Sequence, residues 1–326
     1  MIRAGTATII AMCAMPAFAE SLAYNGMCEA SAGVLLDDNR FAAISDETND
    51  MTPENNMLHT YEIGTDKPKL FSISVEASDI EAATRVGNTI YWLTSHSLNK
   101  SNQDRPKRKN LFAGPVGNLS VSEAGWPFTS LREMIAPAIE QAVGIEAADL
   151  KARLNIEGLA ARPNGHLLIG LREPLAPAAV PTERRALVIN IGDASAIVGD
   201  QLREVQGSAV YRLPLGGRGI RSIERVGERF LIIAGKVHGA DDGHRVDFGQ
   251  YEADLTTALF WWDGISEDAV QIDFQVDLSG LGTASPEGLV VLSDNDVLIL
   301  GDNGDICSDK DDETEDRHFP TVTISF

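Results

Sequence analysis

The chain has no run approaching the ~18 consecutive apolar residues of a membrane-spanning helix beyond its first residues, and aromatics make up only 6% of it. Basic charge is scarce: 27 Lys and Arg stand against 48 Asp and Glu, for a net charge of −21. Such a surface is ill suited to nucleic acid or anionic lipid, which are bound by neutralising phosphates with cations. Catalytic signatures are missing as well. There is no G-x-S-x-G elbow, P-loop, H-E-x-x-H or post-strand G-x-G-x-x-G, and His59, His166, His238, His244 and His318 have no zinc-ligand spacing. Cysteine is limited to Cys13, Cys28 and Cys307.

What is present begins with a leader. Arg3 is followed by a small, apolar stretch from Ala4 to Met15, and Ala17-Phe18-Ala19 before Glu20 is an A-x-A cleavage site. The expected mature chain is 20–326, periplasmic or secreted, as one domain without a membrane span. Losing residues 1–19 removes Arg3 and no acid, so the balance becomes one unit more negative. Cys28 and Cys307 then form an even pair in an oxidising compartment, and a disulfide between them is expected.

Five segments repeat one pattern: a charged residue, an apolar strand, a turn, and a second apolar strand ending on a polar group. They open at Glu29, Glu81, Glu157, Arg221 and Glu287 and close at Asp46, His96, Arg172, Lys236 and Asp302. In the last four the two ends are fifteen residues apart, and the first reads as carrying a two-residue insertion. Turn chemistry sits at each centre: Asp37-Asp38-Asn39, Gly87-Asn88, Pro163-Asn164-Gly165, Gly227-Glu228 and Asp294-Asn295. Further strands are expected at 186–191, 209–213, 259–263 and 270–278. Four strands per unit is the count of a propeller blade. The fold class is therefore all-β, a β-propeller with five blades favoured and six as the alternative. Thr321–Ser325 and Ser21–Tyr24 are expected to complete the last blade from opposite chain ends. Residues 130–151 interrupt the pattern, with Leu131, Met134, Ile135, Ile139 and Val143 on one helical face despite Pro137.

Residues equidistant from a hairpin turn face each other, so the opening and closing groups are expected to line one mouth of the central channel. Two carboxylates about 4 Å apart repel by roughly 4 kcal/mol at an effective dielectric near 20. Each must meet a cation, an Arg or Lys, or a proton. Glu29, Glu287, Asp46 and Asp302 are the candidate ligands for Ca2+. Arg172, Lys236, Arg221 and Arg105 are the candidate anion binders, and Glu157 and His96 the candidate proton carriers of an ester or phosphoester hydrolase. The plainer reading of the same groups is a set of salt bridges that locks neighbouring blades. Arg105 to Lys109, with three further cations after Pro106, is the one basic run, and acids crowd Asp302–Asp316. Trp261-Trp262 lies within an apolar strand and reads as packing.

Asn155-Ile-Glu-Gly-Leu159 followed by Gly170-Leu-Arg-Glu-Pro174 resembles a bacterial domain-of-unknown-function family with a Gly-Leu-Arg-x-Pro motif. Thr94-Ser-His-Ser97, the Arg105–Arg108 run before Leu111-Phe112, and Ser285-Pro-Glu-Gly-Leu289 are similar to its landmarks. Glu173 departs from the glycine commoner there. The resemblance implies a propeller and points to Arg172 without naming a reaction. The Glu-Gly-Leu openings more distantly resemble esterase-like phytases and gluconolactonase-type propellers, which implies channel acids around a cation. Two functions follow as expectations: an exported propeller binding an anionic small molecule at the channel mouth, with or without turnover, or a non-catalytic propeller binding a protein or cell-envelope component.

Overall fold

A computed structural model describes residues 20–45, 57–67, 69–72, 77–99, 101–116, 128–198, 210–237, 256–272, 276–304 and 317–326. The leader, Asp46, His238, His244, Cys307 and the acids from Asp305 to Asp316 lie outside them. The strands form five antiparallel sheets. Blade one runs outward through β2 (Ala30–Asp37), β3 (Arg40–Ser45), β4 (Met57–Glu62) and β5 (Lys69–Ser72). Blade two is β6 (Ile80–Val86), β7 (Thr89–Thr94) and β8 (Leu111–Pro115). Blade three is β9 (Asn155–Ala161), β10 (His166–Glu173), β11 (Ala186–Asp193) and β12 (Val210–Leu213). Blade four is β13 (Gly219–Val226), β14 (Arg229–Gly235), β15 (Ala258–Trp262) and β16 (Ala269–Gln271). Blade five is β17 (Ser285–Val291), β18 (Asp296–Asp302) and β19 (His318–Ser325), with β1 (Glu20–Asn25) as its outermost strand.

The inner strands β2, β6, β9, β13 and β17 each touch the next, and β17 returns to β2, so the five-bladed ring is closed. Closure leaves no blade face without a partner, which is why strands as apolar as Phe230–Ala234 can be buried on both sides. Each predicted turn joins an inner strand to its neighbour. Of the strand expected at 270–278, Ala269–Gln271 is what is found among the described residues. Blade two also departs, with three strands among the described residues. Among the described residues Phe128 makes an isolated antiparallel bridge to Leu111 at its outer edge.

Helix α1 (Leu131–Val143) stands beside that edge. Leu131, Met134, Ile135, Ile139 and Val143 are its buried face, packed with Leu111 and Ala113 of blade two and Leu159 and Ile191 of blade three. Gly144 ends it in the left-handed region at φ 72°, its N–H donating to the Glu140 carbonyl. Helix α2 (Ala147–Arg153) follows and leads into β9.

The ring is fastened where the chain ends meet. β1 pairs with β19 from Glu20–Thr323 to Asn25–His318. Tyr24, Phe41, Tyr61 and Phe319 bring blades five and one together in edge-on and stacked ring contacts, with centroids 5.0–5.7 Å apart. Burial raises the Tyr61 phenol, whose hydroxyl donates to the Asn25 carbonyl at 2.9 Å. The Gly64 N–H donates to the Tyr24 hydroxyl. Trp261 and Trp262 are core residues, as expected. Among the described residues no helix is long and apolar enough to cross a membrane.

Candidate functional site

Every inner hairpin carries a β-bulge at one equivalent position. The register slips between Ala30 and Ala32, Ile80 and Ala82, Ile220 and Ser222, and Pro286 and Gly288; in blade three it slips across Glu157. The extra residues are Ser31, Glu81, Glu157, Arg221 and Glu287. A bulged residue leaves the ladder and its side chain is re-aimed. This corrects two expectations. The first repeat has no insertion, because Ser31 also stands fifteen residues before Asp46. Glu29 is not the fifth ring member. It makes an isolated antiparallel bridge to Asp302 at the closing seam, where its carboxylate lies against Gly304.

Glu157 is the centre of the ring. Only 3% exposed, it takes Arg172 Nη1 at 2.8 Å on one oxygen and Arg221 Nε at 3.1 Å on the other. Asn155 Nδ2 donates to it at 2.9 Å. Arg221 continues to Glu287 through its second nitrogen. Burial draws the Arg221 guanidinium below its ordinary value, and Arg172 adds to that pull; Glu157, Glu81 and Asp302 oppose it. Arg172 Nε donates to the Lys236 carbonyl at 2.9 Å. Lys236 itself is exposed at the end of β14.

Glycine makes this geometry available. A Cβ on Gly219 would stand 2.2 Å from the Arg172 carbonyl oxygen, and one on Gly158 would stand 2.8 Å from Ile223 Cγ2. Gly170-Leu171-Arg172 is thus a seam between blades three and four: a glycine for close approach, a buried leucine, and an arginine bonded on both sides.

Polar bonds tie all five seams at this end of the channel. Ser31 Oγ donates to the Ile80 carbonyl at 2.5 Å between blades one and two, and the Ile156 N–H donates to the Ser95 carbonyl at 2.9 Å between two and three. Glu157–Arg221 joins three to four, and Arg221–Glu287 joins four to five. Between five and one, the Glu29–Asp302 bridge is joined by the Asn303 N–H on the Cys28 carbonyl at 3.0 Å.

His96 is elsewhere than expected. Its backbone is left-handed at φ 55°, and its side chain is fully buried, with the Asn110 backbone against the ring. Burial pushes the imidazole down to about 3, with Arg132 and Lys109 adding to the effect. Its charged neighbours belong to the loop before β8 and to α1, none of them to the ring. The left-handed backbone at His96 turns its side chain away from the path that Arg172 follows to Glu157, although both hairpins carry the bulge. In its place the structure brings Asp79 towards the ring, a residue no motif marked. Burial raises the Asp79 carboxyl, the paired Arg108 and the Ser95 hydroxyl oppose the rise, and the Glu157 charge adds to it. Arg108 Nη2 also donates to Ser97 Oγ at 2.7 Å, and Ser95 Oγ to Ser97 Oγ at 2.9 Å. The only available signal was position: Asp79 stands two before Glu81, as Glu29 stands two before Ser31. Arg105, at the outer end of the same loop, is exposed and bonds Gln103.

Three residues further in, Thr84 Oγ1 donates to both oxygens of Glu224, at 2.8 and 3.0 Å. β6 and β13 are not ring neighbours, so this bond spans the channel past β9. Burial pushes Glu224 up to about 8, against the Thr84 hydrogen bond and the Arg225 charge.

Of the expected Ca2+ ligands, Glu287 faces Arg221, Glu29 and Asp302 adjoin at the seam, and Asp46 lies outside the described residues. Among the described residues no three His, Cys, Asp or Glu side chains are grouped to hold a metal.

No family model matches the chain, and no curated protein matches it. Among solved structures it is similar to a GH43 β-1,3-galactosidase with galactodeoxynojirimycin, at 10% identity and TM-score 0.48, over 93% of this chain and 95% of that one. It is similar to the glutaminyl cyclase of Myxococcus xanthus at 12% identity and TM-score 0.45, over 94% and 97%. The WD40 β-propeller domain of Doa1 is similar at 11% identity and TM-score 0.36, over 87% of this chain and 66% of that one. The strand order of the chain itself makes it a five-bladed β-propeller.

Proposed function

We propose that this protein is an exported β-propeller that recognises a protein or cell-envelope component through the loops around its charged mouth, and that the mouth itself locks the blades. The observation that carries this reading is the set of polar bonds across all five seams, with Arg172 and Arg221 both committed to Glu157. An anion at either arginine would compete with the buried Glu157 carboxylate for the guanidinium, and breaking that pair costs about 3–5 kcal/mol. Export rests on the Ala17-Phe18-Ala19 site. A Cys28–Cys307 disulfide belongs to the same proposal: the Asn303–Cys28 bond brings the chain beside Cys28 shortly before Cys307.

One observation favours a second reading, an anionic small molecule bound at the mouth with Ca2+ and hydrolysed there. Lys236, exposed and adjoining Arg172, is placed to meet it. Melting temperatures after EDTA treatment separate the two, measured with Ca2+ and with a panel of carboxylates and phosphoesters. On the recognition reading Arg172→Ala lowers the melting temperature equally in every buffer, and no ligand effect depends on Lys236. A ligand-dependent rise that Lys236→Ala abolishes would replace it with the binding-site reading. Recognition itself is read by cosedimentation with envelope fragments. Binding that survives Lys236→Ala but is lost on charge reversal of Arg105 and Lys107 supports it, and no cosedimentation removes the envelope as partner.

A further inference from the structure

Three cations from three separate segments converge on one carboxylate, outside the ring. Asp104 receives Lys109 Nζ at 3.4 Å from its own loop, Arg132 Nη1 at 3.2 Å from α1, and Lys151 Nζ at 3.0 Å from α2. Burial works to raise Asp104, but Lys151, Arg132 and Lys109 outweigh it and bring the carboxyl down to about 2. Asp104 is therefore ionised, and the cluster holds three positive charges against one negative. In a chain of net charge −21 that surplus is conspicuous.

The donors are not used up. Each lysine ammonium carries three N–H groups, and among the described residues the partner of both Lys109 and Lys151 is Asp104. Arg132 is 6% exposed; one terminal nitrogen is on Asp104, the other on the His96 carbonyl, and its Nε is buried without a partner. Next to them lies the His96 ring, fully buried, with the Asn110 backbone against it and no side-chain hydrogen bond to either ring nitrogen among the described residues. A neutral imidazole offers one donor and one acceptor.

We propose that the Asp104 cluster is a binding site for a phosphate-type oxyanion, held by Lys109, Arg132 and Lys151 and backed by the His96 ring. A phosphate group carrying about −1.5 to −2 charges at pH 7 matches the surplus, and its oxygens match the unused N–H groups. The site does not involve Arg172, Arg221 or Lys236, so it stands whatever the ring does.

Isothermal titration of the mature protein with inorganic phosphate, against chloride at matched ionic strength, tests it. Saturable binding is expected, weakened about fivefold by Lys151→Ala, a half-exposed residue whose loss leaves the fold intact. Asp104→Asn is expected to tighten phosphate while lowering the melting temperature in phosphate-free buffer, a pair of effects that a purely structural hub would not give. Vesicles of phosphatidylglycerol, against pure phosphatidylcholine, distinguish a headgroup from a free ion: vesicle binding lost in Lys151→Ala assigns the phosphate to lipid. The proposal fails if neither phosphate nor vesicles bind saturably, or if binding is unchanged in both Lys109→Ala and Lys151→Ala.

Discussion

At the residue scale, Glu224 shows how one side chain couples the channel to pH. Its folded carboxyl lies near 8, above the ordinary 4.5. The folded state therefore binds the proton more tightly than the unfolded chain does. Its stabilising contribution is complete below about pH 4.5 and is lost as pH rises towards 8. Melting curves from pH 5 to 9 are expected to show a decline of about 2–4 kcal/mol that Glu224→Gln removes. An equal decline in both proteins would assign the slope to other groups. Gly219 gives a second expectation at this scale. Gly219→Ala forces a Cβ into the Arg172 backbone and is expected to destabilise by about 1–3 kcal/mol, read by urea unfolding.

At the element scale, the bulged inner strands are the units that matter. Arg221 is bonded to acids of blades three and five at once. Arg221→Met leaves Glu157 with Arg172 and Asn155 and Glu287 without its guanidinium partner, and is expected to cost about 3–5 kcal/mol. The double variant Arg221→Met, Glu287→Gln is expected to recover part of that loss, because the second change removes the stranded charge. A purely additive result would show that the two groups do not act as a pair. Helix α1 was legible from its apolar spacing, since Leu131, Met134, Ile135, Ile139 and Val143 recur at helical period and bury together. Its tie to Asp104 was not, because that bond joins segments 28 residues apart that only packing brings together.

At the scale of the whole molecule, stability depends on joining the last blade to the first. Phe319→Ala removes the ring that packs on both Tyr24 and Tyr61 between them and is expected to cost about 3–5 kcal/mol. Removing residues 20–25 deletes β1 and with it Tyr24, leaving the outer edge of β19 bare. That variant is expected to lose its single cooperative transition, with amide exchange accelerated first in blades one and five. Protection lost uniformly around the ring would show that closure is not carried by this seam.

The sequence by itself determined the five hairpins, their turns, the helical insertion and the two chain ends meeting in one blade. These follow from alternation, turn residues and helical period, which are local properties of the chain. Tertiary structure decided which side chains reach the channel. The bulge exchanges Glu29 for Ser31, while packing buries the His96 ring, brings Asp79 towards Glu157 and sets Thr84 against Glu224. A bulge re-aims the side chain of the extra residue, and Gly158 leaves room for Ile223 of the next blade beside it. The contact is between residues far apart in sequence, so the register at the mouth was fixed only when the ring closed.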